Sequence, residues 1–212
     1  MTDDQQPAQA RVSVRRMIEG NLPAAKKIFQ LAFGTFVGVP EPESFLEDRD
    51  YVNARWRIDP LAAFTAEAGG EIVGSNFAVN WGTVGYFGPL IIHPDFRDQG
   101  IAQKLMGPIM ETFDEWKTEH VGLFTFSHSP KHLELYRRFG FWPPFLTAFM
   151  SKPVARGADA EMSSSYTRLP ETEKEACLVA CRELTDQVYS GLDLTTEIQA
   201  LHDHGLGDTV LL

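Results

Sequence analysis

The chain has 212 residues, 43% of them hydrophobic and 23% charged, with a formal net charge of −10. That is the composition of a soluble globular protein with room for one generous domain or one and a half. The acid excess excludes a nucleic-acid binder, which needs a basic face, and no apolar run approaches the ~20 residues of a membrane helix.

Residues 1–10, MTDDQQPAQA, carry acids where a signal peptide carries bases, and no apolar stretch follows. They are expected to form a disordered tail, which leaves the cytoplasm as the default compartment. Val12–Met17 alternates and predicts a first strand. Asn21 is placed to cap a helix carrying Leu22, Ala25, Ile28, Phe29, Ala32 and Phe33 on one face, with Gly34 as its stop. Residues 40–57 are acidic, with Phe45, Leu46, Tyr51, Val52 and Trp56 at helical spacing, and predict a second helix.

A meander follows. Leu61–Glu67 and Ile72–Trp81 are strands joined by a Gly69-Gly70 hairpin turn, and Thr83–Ile92 is a third. Beyond His93-Pro94-Asp95, the stripe Ile101, Ala102, Leu105, Met106, Ile109, Met110, Phe113 and Trp116 predicts a long helix, kinked or broken at Pro108. Val121–Phe126 is expected as a buried strand. Ser129 and Pro130 open another helix that Gly140 stops, and Phe141–Met150 is expected as a last aromatic strand. The order β-α-α-β-β-β-α-β-α-β describes an α/β (α+β) protein with a mixed, mostly antiparallel sheet flanked by helices.

Chemistry concentrates at Leu90-Ile91-Ile92-His93-Pro94-Asp95-Phe96-Arg97-Asp98-Gln99-Gly100-Ile101-Ala102. A buried strand runs into a short loop whose backbone N–H groups open a helix, an arrangement that binds anions. Gly100 permits close approach of a phosphate, Ala102 keeps the next turn thin, and Arg97 adds charge.

Arg97-x-x-Gly100-x-Ala102 after a strand ending in Ile-His-Pro resembles the acetyl-CoA motif of the GNAT family of N-acetyltransferases. Leu135-Tyr136-Arg137-Arg138-Phe139-Gly140-Phe141 and the hairpin Gly70-Glu71-Ile72-Val73-Gly74 are similar to that family's elements too. The resemblance covers residues 11–150. It implies that acetyl-CoA lays its pyrophosphate on the amides of Arg97, Asp98, Gln99, Gly100, Ile101 and Ala102. It implies too that the pantetheine arm pairs with the edge at Leu90, Ile91 and Ile92, and that Tyr136 is the general acid protonating the departing thiolate. Two positions depart from the family pattern: Ser129 stands where Asn is frequent, and His132 where a small residue is. Ser129 keeps a hydroxyl for capping or for the cofactor, and His132 is expected at the surface.

The general base stays open. His128, at the end of a central strand, is one candidate; Glu67 and the acids Glu41, Glu43, Glu47, Asp48 and Asp50 are others. The implied activity is acetyl transfer from acetyl-CoA to a primary amine, on a small molecule or a peptide, by direct attack and with no metal. The alternative is a catalytically silent acetyl-CoA-binding regulatory module.

Residues 151–164 have the composition of a linker. Beyond them, a strand at Ser165–Leu169, helices at Thr172–Tyr189 and from Thr195 or Thr196 to Leu201, and a strand from Thr209 repeat the opening β-α-α-β order. Residues 165–212 are therefore expected to be a partial second GNAT-like unit, with a C-terminal extension packed on the first domain as the alternative. The apolar end at 209–212 needs a partner strand, from Ser165–Leu169 or from a second copy in a homodimer.

Overall fold

The computed structural model describes residues 11–148, 150 and 164–211. Among these, the chain forms two compact units, one comprising residues up to Val79 with Phe87–Trp116, the other Asn80–Tyr86 with Lys117 onward.

In the first unit Val12–Arg16 is strand β1, and Leu22–Val37 is helix α1. Pro23 sits in the helix's first turn, where no amide partner is lost. Asn21 does precede the helix, but its Oδ1 accepts from Ile18 N and Arg15 Nη1 at 3.1 and 2.9 Å instead of capping. Gly34 does not end α1. The helix runs on to Val37, and Gly38, at φ 76°, closes it with its N–H on the Gly34 carbonyl. Gly34 is small for a different reason: the Pro42 backbone occupies the place of its Cβ.

Tyr51–Ile58 is helix α2, shorter than expected because Pro42–Ser44 forms a separate 3-10 turn. Ala63–Ala68 (β2) and Glu71–Trp81 (β3) form the predicted hairpin about Gly69 and Gly70, both left-handed. β1 pairs antiparallel with β2, and β2 with β3, Val14 opposite Ala66 and Ala66 opposite Gly74.

The expected third strand is two strands, β4 at Val84–Phe87 and β5 at Ile91–Ile92. Gly88-Pro89 lies between them, and proline cannot extend a ladder by donating an N–H. β5 pairs antiparallel with β3, Ile91 opposite Ser75 and Ile92 opposite Gly74. Helix α3 then spans Ile101–Trp116. Pro108 does not break it: the helix is continuous through that position, and Thr112 Oγ1 donates to the Pro108 carbonyl at 2.7 Å.

One side of the first unit's core contains Met17, Ala25, Ile28, Phe29, Val52, Phe77 and Ile91, flanked by the aromatic contacts Phe29–Phe33 and Phe29–Tyr51. Ile101, Leu105, Met106, Ile109 and Phe113 of α3 are buried as well. Each such side chain contributes about 1.5–3 kcal/mol on burial.

The second unit opens on the last residues of β3 and the turn Gly82-Thr83. Its β4 residues pair parallel with β6, His120–Gly122, Tyr86 lying opposite Gly122. β6 is half the length expected. Residues 123–126 are not strand and Phe124 is 68% exposed. Helix α4 is Pro130–Arg137, with Gly140 left-handed behind it and Phe141 N on the Tyr136 carbonyl. The expected strand at Phe141–Met150 does not form in 141–148 or at 150, where Trp142, Phe145 and Leu146 are exposed.

The linker expectation at 151–164 lies outside the described residues up to 163. Ser164–Ser165 (β7), Glu171–Asp186 (α5), Thr195–Asp203 (α6) and Val210–Leu211 (β8) complete the chain. β7 is short because Tyr166–Arg168 turns into a 3-10 helix. It pairs antiparallel with β8, over a small core of Tyr166, Cys177, Leu178, Cys181 and Ile198. Both cysteines are free thiols.

A second close fit in the first unit is at Gly74, where a Cβ would stand 2.7 Å from the Ile91 carbonyl oxygen and 2.9 Å from Ile92 Cδ1. Backbone cannot give way as a side-chain end can. Gly74→Ala is expected to destabilise the fold by about 1–3 kcal/mol, the usual cost of overpacking; the denaturation midpoint measures it.

Candidate functional site

The loop expected to bind anions lies in the first unit between β5 and α3. Ile91 is buried and Leu90, just outside β5, is half-buried. Pro94–Phe96 is a 3-10 turn whose first N–H groups are met locally: His93 Nδ1 accepts from Asp95 N at 3.2 Å. Asp98 and Gly100 are both left-handed, at φ 63° and 73°. Two such residues within three turn the chain sharply into α3, and Asp is one of the few side chains that tolerates the conformation.

The first backbone bond of α3 joins Lys104 N to the Gly100 carbonyl at 3.2 Å. The N–H groups of Ile101, Ala102 and Gln103 therefore precede the helical ladder. At Gly100 the direction of a Cβ is open, its nearest neighbour being Gln103 Oε1 at 3.9 Å. Glycine is required here by the left-handed backbone, and the open side leaves room for a phosphate, so the loop fits the pyrophosphate of a coenzyme A thioester.

Arg97 does not extend into that space. Its Nη2 donates to the Ala32 carbonyl at 3.3 Å, which ties the loop to α1. Gln99 Nε2 donates back to the Asp95 carbonyl at 3.4 Å.

The second unit holds Tyr136, His128 and Ser129. Tyr136 is half-buried on α4, its ring edge-on to Phe141 at 6.5 Å. Its pKa is pushed up to about 12, first by burial and then by the neighbouring Tyr86 phenol, against a hydrogen bond with Thr125 that lowers it. Ser129 is the N-cap residue of α4, and its carbonyl accepts from Leu133 N at 3.2 Å, but its hydroxyl makes no capping bond. His128 does not end a strand. It lies exposed in a turn beyond β6, 5.8 Å ring to ring from Phe126. His132 is half-buried rather than exposed, with its ring against Phe126.

Among the carboxylates, Glu67 is bonded to Arg15 at 2.9 Å. Asp50 caps α2 by accepting from Asn53 N, and stands 3.6 Å from Lys26. Glu41, Glu43 and Glu47 line an open groove of about 560 Å³ with Leu31, Pro42 and Ser44. Sequence reasoning missed Tyr86 and Thr125, the partners of Tyr136. Neither belongs to a motif: Tyr86 lies on β4 and Thr125 in the segment beyond β6, two elements that pair only in the folded chain.

Among the described residues no group of His, Cys, Asp and Glu forms a metal site, and no helix is long and apolar enough to cross a membrane.

No curated protein matches the chain. Solved structures do. A Pyrococcus horikoshii protein provisionally assigned as an acetyltransferase aligns over 97% of this chain and 66% of its own length, with a TM-score of 0.61 at 14% identity. The protein PH1933 from Pyrococcus horikoshii OT3 aligns over 65% of this chain and 93% of its own, with a TM-score of 0.53 at 16% identity. The aminoglycoside N-acetyltransferase AAC(6')-Iy, solved in complex with CoA, aligns over 70% of this chain and 99% of its own, with a TM-score of 0.52 at 18% identity. These likenesses are of fold. The sequence itself matches the family described as the Acetyltransferase (GNAT) family over residues 25–141, more than half of the chain. With its mixed, mostly antiparallel strands, its β5–loop–α3 junction and that match, this chain is a member of the GNAT acetyltransferase family.

Proposed function

We propose that the chain is an N-acetyltransferase that moves the acetyl group of acetyl-CoA to a primary amine by direct attack in a ternary complex. The observation that carries this reading is the junction of β5 with α3, where the left-handed pair Asp98 and Gly100 precedes the unbonded first-turn amides of a helix. Those amides and the helix dipole receive the pyrophosphate.

The amine nitrogen forms a bond to the acetyl carbon, the carbon–sulfur bond breaks, and the nitrogen loses a proton while the sulfur gains one. With a pKa of about 12, Tyr136 keeps its proton throughout the physiological range. It is then a weaker acid than an ordinary thiol, whose pKa is ~8.5. Its part is to donate a hydrogen bond to the sulfur as charge develops there, and to complete the transfer only as the C–S bond opens. His128 and the acids of 41–50 are the candidate bases; Glu41, Glu43 and Glu47 also give the groove a charge suited to a cationic amine.

A second reading, a silent acetyl-CoA-binding module, is favoured by one observation: Glu67 and Asp50 are both engaged in ion pairs within the fold. Release of free thiol from acetyl-CoA across a panel of amines, polyamines, aminoglycosides and N-terminal peptides separates the two. Turnover with any of them supports the enzyme; acetyl-CoA binding without turnover on any supports the module.

Three outcomes follow from the geometry. Gly100→Ala places a methyl group on the open side of the loop. It is expected to cost about 1–2 kcal/mol of stability through the left-handed backbone and to abolish acetyl-CoA binding, as calorimetry on the folded variant would record. Tyr136→Phe is expected to lower kcat by ~10²-fold or more with little change in affinity for acetyl-CoA. The same phenol leaves a thermodynamic mark. Its folded pKa lies above that of the unfolded chain, so its contribution to stability is complete below pH ~10 and is lost as the pH rises toward about 12. Unfolding free energy measured across that window should fall for the wild type, and fall less for Tyr136→Phe.

A further inference from the structure

His93 stands where β5 passes into the loop. Its backbone prolongs the pairing of β5 with β3, its N–H donating to the Val73 carbonyl at 2.8 Å. Its ring is half-buried and edge-on to Phe96, with centroids 5.8 Å apart and planes at 81°. From that place Nδ1 accepts from Asp95 N at 3.2 Å, and the His93 carbonyl accepts from Phe96 N at 2.9 Å.

The bond to Nδ1 sets more than one amide. The Asp95 N–H and the Pro94 carbonyl are two ends of one planar peptide group, and the Pro94 carbonyl accepts from Arg97 N at 3.3 Å. The next carbonyl, that of Asp95, accepts from Gln99 Nε2 at 3.4 Å. The path from Pro94 to Gln99 is therefore built on the peptide that Nδ1 orients. Gly100 and the first turn of α3 come directly after it.

An imidazole nitrogen accepts only while it carries no hydrogen, so the neutral ring in this arrangement has its proton on Nε2. A second proton goes to Nδ1, and the Asp95 N–H then loses its acceptor. Among the described residues the charged group facing the ring is the Asp95 carboxylate, with Oδ2 3.9 Å from Nδ1. It draws the new N–H toward the side chain and away from the backbone. Phe96 and the Val73 carbonyl, the other groups against His93, are uncharged.

We propose that His93 is a positioning residue for the pyrophosphate loop and makes the loop's hold on acetyl-CoA depend on pH. The neutral ring keeps the loop in its binding shape; the protonated ring releases it. The role in the turn stands on the bonds alone, and its effect on affinity rests on the reading of this loop as the pyrophosphate site.

The test uses the full chain and two variants, each confirmed as folded at every pH. His93→Ala removes the acceptor, and His93→Asn keeps an acceptor of a preferred capping type that does not titrate. Calorimetry records the Kd for acetyl-CoA from about pH 8 to about pH 5, the range across which histidines change charge. The phosphates of acetyl-CoA also titrate there, but equally for every variant, so the ratio of Kd values reads the ring. At the upper pH His93→Asn is expected to match the wild type and His93→Ala to bind roughly fivefold more weakly, the size of a lost cap. Toward the lower pH the wild type is expected to weaken roughly fivefold relative to His93→Asn and to approach His93→Ala. In parallel, long-range proton–nitrogen spectra of the chain without acetyl-CoA read the ring directly. The His93 signals are picked out of the six histidines by their loss in His93→Asn, and the neutral ring is expected to carry its hydrogen on Nε2. A neutral ring protonated on Nδ1 overturns the proposal. So does a wild-type to His93→Asn ratio that stays flat with pH, or an Asn variant that loses as much as Ala, which would leave His93 only a packing role against Phe96. The expected ring state in a folded chain that binds no acetyl-CoA at any pH upholds the role of His93 in the turn and overturns the pyrophosphate reading instead.

Discussion

At Gly74 the backbone of β3 lets β5 come within reach of α3. A single Cβ there would overlap the Ile91 carbonyl and the Ile92 side chain, and would stand 3.3 Å from Leu105 Cδ1 of α3. β5 is only two residues long, too short to hold its place by ladder bonds alone. Its position is therefore set by how closely it can lie on β3, and the loop that follows inherits that position. Asp98 and Gly100 then turn the chain into α3, whose first amides precede its backbone ladder, and Arg97 pins the turn to α1 through the Ala32 carbonyl. The geometry of the loop proposed to bind the pyrophosphate is thus a consequence of one missing side chain upstream of the motif.

The features that sequence exposes are those with local causes. The Gly69-Gly70 hairpin, the apolar face of α1, the start of α3 and the left-handed stop at Gly140 are all written in neighbouring residues. What it hides has distant causes. Gly34 has the composition of a helix stop, yet it is small because Pro42 crosses it. Phe141–Met150 and Val121–Phe126 have the apolar and aromatic content of strands, but a strand needs a partner, and β-propensity measures only the fit to one. Along Thr83–Ile92 the apolar pattern is continuous across Gly88-Pro89, and only the pairing of β5 with β3 and of β4 with β6 shows that two strands are present.

The carboxylates divide in the same way. From sequence, Glu67 and the acids of 41–50 are equal candidates for proton transfer. The structure separates them by occupation. Glu67 is held by Arg15 across neighbouring strands, an exposed pair that contributes at most about 1 kcal/mol, and Asp50 spends its oxygens on Asn53 N and Lys26. Glu41, Glu43 and Glu47 line open space beside Leu31. Tyr136 is of a different kind: burial is the first cause that pushes its pKa up to about 12 and keeps the phenol neutral.

The C-terminal elements are fastened to the turn between β3 and β4. Expected either as a partial repeat or as a packed extension, they form a β7–β8 ribbon with two helices and a small core of their own. Yet the turn before α6 sits on Gly82 and Thr83 through backbone bonds on both sides, at a spacing that only glycine at 191 allows. A segment that merely covered apolar surface would not need so many directed bonds to one turn. These bonds act on the residues between β3 and β4, and β4 carries Tyr86. Folding of the α5–α6 segment is therefore coupled to the Trp81–Tyr86 stack, because Trp81 cannot satisfy Glu197 and Tyr86 at once unless both halves of the unit are in place.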